Sequence, residues 1–383
     1  MSGAAASAPV LEGTEQHPHA RLVLGAGLAS GSPSHAYLLH GPSGTGKRTA
    51  ARALAAELLV EGAPDPDAVR RRVRAGSHPD LTWVKPSGAH VMRVDDVAEP
   101  VVSAATRTPF EALRRVFVLE RVETMNDEVA NRMLKTLEEP ASFVHLVLLT
   151  GALGRVIDTV VSRCQLVRFD PLPAERIAAT LEKDGVEPRR AVACARLSLG
   201  DASRARLLAS QEGESLRRHA ERIVRVALAP EEVTIASEEP WRPLLARADE
   251  RRTEVEAELS ARGATRLELE PKGRERRAIE RELEESAKRD GRRARTEVLE
   301  LGLDLAALTL RDLACTADGA QDAVLAVDRP EILAGAAGRD PRRLREAVEL
   351  CEEVRRSLVL NVNEELALSA LSFRLARLVS GRA

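Results

Sequence analysis

The first 170 residues alternate short apolar runs with stretches of helical spacing. "AYLLH" (36–40), "LTWV" (81–84), "VFVLE" (116–120), "VHLVLLT" (144–150) and "QLVRF" (165–169) are near-continuous in apolar residues rather than alternating. Strands of that kind are buried on both faces, the habit of a parallel sheet covered by helices. Between them, "TAARALAAELLV" (49–60) is built from strong helix formers. "NDEVANRMLKTLEE" opens on Asn126 as an N-cap and stops before Pro140. Strands separated by helices predict a three-layer α/β domain with a parallel sheet over residues 1–172.

After "DPLP" (170–173) the strand signal ends. "PAERIAATLEKDG" and "PRRAVACARLSLGDASRARLLAS" read as short helices with a stop at Gly185 and a turn at Gly200-Asp201, a small helical domain over 173–211. From 212 to 383 the whole chain reads as helix, with a turn near Asn361–Asn363. Inside it, residues 246–293 are unusually charged, with Glu and Arg/Lys recurring at i,i+3 and i,i+4. That is the pattern of a solvated helix or helical hairpin, either an exposed face or a docking arm.

Composition narrows the functional classes. The chain has 383 residues, 44% of them hydrophobic, enough for two or three domains with real cores. Lys+Arg 57 against Asp+Glu 59 leaves a formal charge of -2, which gives no basic field for general nucleic-acid binding. Aromatics at 2% exclude a base-stacking platform, so any DNA contact is local or shared with partners. Cys164, Cys194, Cys315 and Cys351 form no C-x-x-C pair, and the expectation is reduced, mostly buried thiols. The opening "MSGAAASAPVLEGTEQ" lacks the basic start and apolar core of a secretory signal, and no apolar run approaches the ~20 residues that cross a bilayer. A cytoplasmic chain without membrane contact is expected.

The chemistry begins at "GPSGTGKRTA" (41–50), which lies between a strand and a helix. In G-x-x-x-x-G-K-[ST], glycines let backbone N–H groups converge on a phosphate, and the lysine reaches the β and γ oxygens. Gly41, Gly44, Gly46 and Lys47 fit, although a tight turn with a chance lysine would look alike. The magnesium-binding hydroxyl is replaced by Arg48, which has no acceptor. Thr49 could substitute only with a shifted helix register. A hydrolysis site also needs carboxylates at the end of another strand, one for the metal and one for the attacking water. "VFVLER" offers Glu120 for a metal, but the next residue, Arg121, cannot be a base. Glu123 has no evident reason to face the site. With two parts altered, hydrolysis in cis is not expected. A third segment, "VVSRCQLVRF", sets Arg163 before a strand; it is either a surface ion-pairing residue or a cation offered to a neighbour's γ-phosphate. Cys164 reads as a small buried apolar residue.

Taken in order, "SHAYLLHGPSGTGK", "SHPDLTWV", "VFVLERVETMNDEVANRMLKTLEEP" and "VVSRCQLVRF" resemble the AAA+ clamp-loader family of bacterial DNA polymerase III, most closely its delta-prime branch. "NRMLKTLEEP" (131–140) and "SRC" (162–164) are the most specific segments. The resemblance is strong over 34–172, weaker through the small helical domain, and returns in "LNVNEELAL" (360–368). It implies a RecA-like AAA+ domain, a helical lid and an all-α collar that joins subunits in a hetero-oligomeric ring, here interrupted by the charged insertion. It further implies gamma/tau-like motor and delta-like partners, a sliding clamp, and primed DNA within the complex. Arg163 takes the place of the arginine thought to reach ATP on the adjacent motor subunit. Thr150 corresponds to sensor 1, while Arg204 in "GDASRA" is one residue out of register with sensor 2, so a nucleotide contact is not expected of it. Many relatives carry a four-cysteine zinc module after the first helix, but "VEGAPDPDAVRRRVRAGSHPD" (60–80) has no cysteine, so zinc is not expected. ATP binding, if retained, is expected to be weak. Two other readings remain: an active cis ATPase using Thr49 and Glu120, and an adaptor that binds no nucleotide.

Overall fold

The computed structural model describes residues 11–12, 14–87, 91–229, 238–268, 273–358 and 362–379. Part of the expected turn at Asn361–Asn363 thus lies outside the described residues. The chain divides into two compact units: Met1–Pro173 with Gly200–Ser203, and Ala174–Leu199 with Arg204–Ala383.

In the first unit the apolar runs form β1 (Ala36–His40), β2 (Leu81–Val84), β3 (Arg115–Glu120), β4 (Val144–Thr150) and β5 (Gln165–Arg168). They pair in the order β2-β3-β4-β1-β5, and every pair is parallel. Successive side chains of a strand point to opposite faces. Leu38, Phe117, Leu119, Leu146 and Leu148 therefore join one core, with Val129, Met133 and Leu137 from the helix Asp127–Glu138. Tyr37, Leu39, Val116, Val118 and Val147 join the other, with Leu24, Leu54, Leu58 and Val73 from the helices Pro18–Ala29, Lys47–Val60 and Pro66–Ala75. Burial on both faces explains why β1, β3 and β4 lack alternation. The edge strands depart from the expectation, β2 being half-buried and β5 exposed except at Val167, because each has a neighbour on one side only. Asn126 caps its helix as expected, its side chain accepting from Val129 N at 3.0 Å.

The segment entering β3 has no regular structure, yet its backbone is satisfied. The buried carboxylate of Asp80 accepts from the N–H groups of Phe110 (2.6 Å), Glu111 (3.0 Å) and Ala112 (3.0 Å). Its own carbonyl accepts from Val116 N at 2.9 Å. Arg115 opens β3 with its guanidinium 5.4 Å from the Phe110 ring and 5.6 Å from the Phe117 ring.

The second unit is helical. Its helices include Ala174–Lys183, Pro188–Leu197, Gln211–Ala227, Arg242–Glu268, Arg274–Ala317, Pro341–Ser357 and Glu364–Val379. The charged stretch is a hairpin of the helices Arg242–Glu268 and Arg274–Ala317. Leu244 lies against Gly302, Glu256 against Gly291 and Leu283 against Gly263, an antiparallel register in which glycine lets the helices approach. The reading of everything after 212 as continuous helix needs correction at 318–340, which holds only short turns: Gln321–Ala323, Pro330–Leu333 and Ala334–Ala336. Pro330 and the left-handed glycines Gly319 and Gly338 break the helix there. Buried Asp312 accepts from Leu325 N and Ala326 N, and Arg217 makes a bidentate pair with Asp328 at 2.8 and 2.7 Å.

Candidate functional site

The glycine loop leaves β1 and opens the helix Lys47–Val60. Two of its glycines hold backbone that strains any side chain, and each has a neighbour where a Cβ would fall. A Cβ on Gly41 (φ +140) would lie 1.9 Å from Phe169 O, and one on Gly44 (φ +66) would lie 1.6 Å from Asp201 Oδ1. Lys47 folds back over the loop. Its Nζ donates to Gly41 O at 2.5 Å and to Pro42 O, with Thr45 Oγ1 at 3.4 Å. Burial pushes its pKa down to about 8, against the opposing fields of Asp201 and Glu123. The ammonium is thus held by carbonyl dipoles where it could instead meet phosphate oxygens.

Arg48 stands where the magnesium-binding hydroxyl belongs, and its Nη2 donates to Glu120 Oε2. The other oxygen of Glu120 accepts from Trp83 Nε1 at 2.7 Å. Glu120 is 3% exposed. A guanidinium therefore spans the gap between loop and strand end that a divalent cation would bridge, and both carboxylate oxygens have protein donors. Thr49 is exposed in the first turn of a helix that runs in register from Lys47. Among the described residues, no group of three or more His, Cys, Asp or Glu is placed to hold a metal ion.

Glu123 does join the site, contrary to expectation. Arg121 adopts a left-handed conformation (φ 55), and the 3-10 turn Val122–Thr124 follows. Glu123 Oε2 accepts from Thr150 Oγ1, the sensor-1-like residue, at 2.7 Å, and its charge acts on Lys47. A left-handed non-glycine residue leaves no signal in the sequence, so this turn was not readable. Asp201 was likewise read only as a turn residue.

Arg163 lies between the short helix Asp158–Val161 and β5. Its Nε donates to Glu138 Oε1 at 2.9 Å and its Nη1 to Thr159 O at 2.8 Å. The side chain remains 32% exposed. Cys164 packs against the core, where burial pushes its thiol up to about 12, and all four cysteines are free. In the second unit, Arg204 Nη2 is 2.5 Å from Asp304 Oδ2. Among the described residues, no helix is long and apolar enough to cross a membrane.

Residues 16–173 match the family model described as DNA polymerase III, delta subunit. The DNA polymerase III subunit delta' of Bacillus subtilis is 35% identical over 162 residues, covering 41% of this chain and 49% of that protein. The subunit delta' of Pseudomonas aeruginosa is 39% identical over 155 residues, 39% of this chain and 46% of that one. A DNA polymerase III subunit gamma of Buchnera aphidicola is 30% identical over 156 residues, 39% of this chain and 42% of that one. The chain thus spans just under half the length of these relatives. Among solved structures, a Thermotoga maritima protein related to DNA polymerase III gamma covers 94% of this chain and 97% of its own, with 15% identity and a TM-score of 0.48.

Proposed function

We propose that the chain, whose residues 16–173 match that family model and are similar to delta' subunits, is a clamp-loader subunit of delta' type, a stator of that loader rather than one of its motors. In this reading it occupies one place in a cytoplasmic hetero-oligomeric ring with gamma/tau-like and delta-like subunits. It helps place a sliding clamp on primed DNA, with 173–211 as lid and 212–383 as collar. It hydrolyses no ATP itself, and Arg163 serves the triphosphate of the adjacent motor subunit.

The observation that carries this reading is the Arg48–Glu120 pair. Phosphoryl transfer needs a metal to neutralise the developing charge and a carboxylate to orient water. Here the metal's carboxylate is bound by a cation that can never be deprotonated and cannot accept a lone pair. The purified chain should show no steady-state ATP turnover, and turnover at motor-subunit rates would reject the stator reading.

Two further results are expected of the loop. Any ATP affinity of the wild-type chain should be the same with magnesium or with EDTA. Arg48→Thr, which restores a hydroxyl and releases Glu120, should make binding magnesium-dependent and tighten it about tenfold, a single charge-assisted contact's worth. A titration showing no magnesium effect in the variant would count against the proposed replacement of metal by guanidinium. The pH dependence follows from Lys47, whose pKa burial pushes down from the ordinary lysine value of 10.5 to about 8. The ammonium is present below that value and lost above it, so pyrophosphate affinity should fall as pH rises through and beyond 8. Bound phosphate would favour the charged form and move the midpoint upward. A flat profile between pH 7 and 10, read by calorimetry, would show that Lys47 is not the phosphate contact.

A further inference from the structure

The turn Gly200–Ser203 belongs to the same compact unit as the phosphate loop. It is fixed to the chain leaving β5. Leu172 N donates to Gly200 O at 3.2 Å, and a Cβ on Gly200 (φ +88) would fall 2.7 Å from Pro171 Cβ. Asp201 is thereby brought onto the loop. Its Oδ1, Cγ and Oδ2 lie 1.6, 1.8 and 2.2 Å from the position a Cβ would take on Gly44. The whole carboxylate fills the space left by a missing side chain, and its charge opposes the desolvation of Lys47.

A phosphate loop is a set of backbone N–H donors and one ammonium converging on an anion. In this chain an anion from the same unit is already in place. We propose that Asp201 is a built-in competitor for the loop: its carboxylate balances Lys47 when no nucleotide is bound and repels an incoming triphosphate. Nucleotide affinity is then set by this carboxylate as well as by the altered metal position. The inference rests on the loop retaining phosphate affinity, as the proposed function allows. Arg48 and Glu120 explain why metal is not needed. Asp201 explains why a loop with its glycines and lysine intact would bind metal-free phosphate poorly. The groups acting on Lys47 besides Asp201 include Glu123, which accepts from Thr150 Oγ1, and the cation Arg48.

The test is equilibrium binding of inorganic pyrophosphate and of ATP to the full chain, in EDTA at pH 7. Wild type would be compared with Asp201→Asn, Asp201→Ser and the double variant Asp201→Asn/Lys47→Ala. Asparagine keeps the shape and removes the charge, whereas serine removes both. Each single variant should bind both ligands at least about tenfold tighter, since a like charge at contact distance is relieved in a partly buried site. The double variant should lose that gain. Unchanged or weaker affinity in both single variants overturns the proposal, and so does a gain that survives loss of Lys47, because the ligand would then lie elsewhere. Absence of binding in every variant also overturns it, yet leaves the stator reading standing. That reading fails on a different result, turnover of ATP by the wild-type chain.

Discussion

Replacing Arg163 with alanine is expected to slow single-turnover hydrolysis at the adjacent motor site of a reassembled loader on the order of 10³-fold. A cation supplied to the transferring phosphoryl group in trans acts where charge spreads over its equatorial oxygens, and such arginines are worth roughly 10³–10⁵ in rate. The isolated chain should melt within a degree or two of wild type. What is lost is a half-exposed pair with Glu138 and a solvent-accessible hydrogen bond to Thr159 O, and exposed ion pairs contribute about 0–1 kcal/mol. Arg163→Lys should restore part of the rate at most, because a point charge does not reproduce the planar fork. Glu138→Gln should leave the rate at or above wild type. If single-turnover rates in the Arg163→Ala ring match the unmodified ring, the trans role is removed, whatever happens to stability.

The second large effect is on folding. Asp80→Ala should destabilise the first unit by about 2–3 kcal/mol, since it strips the acceptor from three backbone N–H groups at once. Phe110 and Glu111 are exposed, so water can replace part of what is lost and keep the cost from being larger. Asp80→Asn should fall between the two, because an amide presents one acceptor oxygen rather than two. Trp83 in β2 reports on this unit if Trp241 is first changed to Phe, leaving one tryptophan to follow in urea. An unaltered midpoint and slope in Asp80→Ala would mean that the segment before β3 is held by other contacts.

Much of the first unit was legible because its sheet is covered twice. Double burial writes β1, β3 and β4 as unbroken apolar runs, and the parallel order follows from the helices between them. The first residue of β3 escaped because Arg115 hides its charge beneath two aromatic rings. The glycine loop between β1 and its helix could be read from glycine spacing alone, and so could the arginine at position 48. The Arg48–Glu120 salt bridge could not, since it joins the first turn of a helix to the end of β3, a proximity only the fold creates. Glu123 depended on a left-handed Arg121, and Asp201 on a turn brought back from far along the chain. "SHPD" was recognisable as a motif, but its physical reason, a carboxylate holding the approach to β3, appears only with the hydrogen bonds in view. The irregular 318–340 segment was missed because helix formers dominate its composition, whereas Asp312 and Arg217 decide its path.

The partnership of Arg163 with Glu138 bears on timing. A guanidinium already matched by a carboxylate offers no bare charge to nucleotides diffusing past the unassembled chain. Because the pair is open to water, swapping its carboxylate for a phosphate costs little once a neighbour holds that phosphate steady. Lending the cation would then need only a side-chain rotation, with no rearrangement of the sheet beneath. On the proposed trans role, a subunit built this way would stay inert in isolation and become useful on contact.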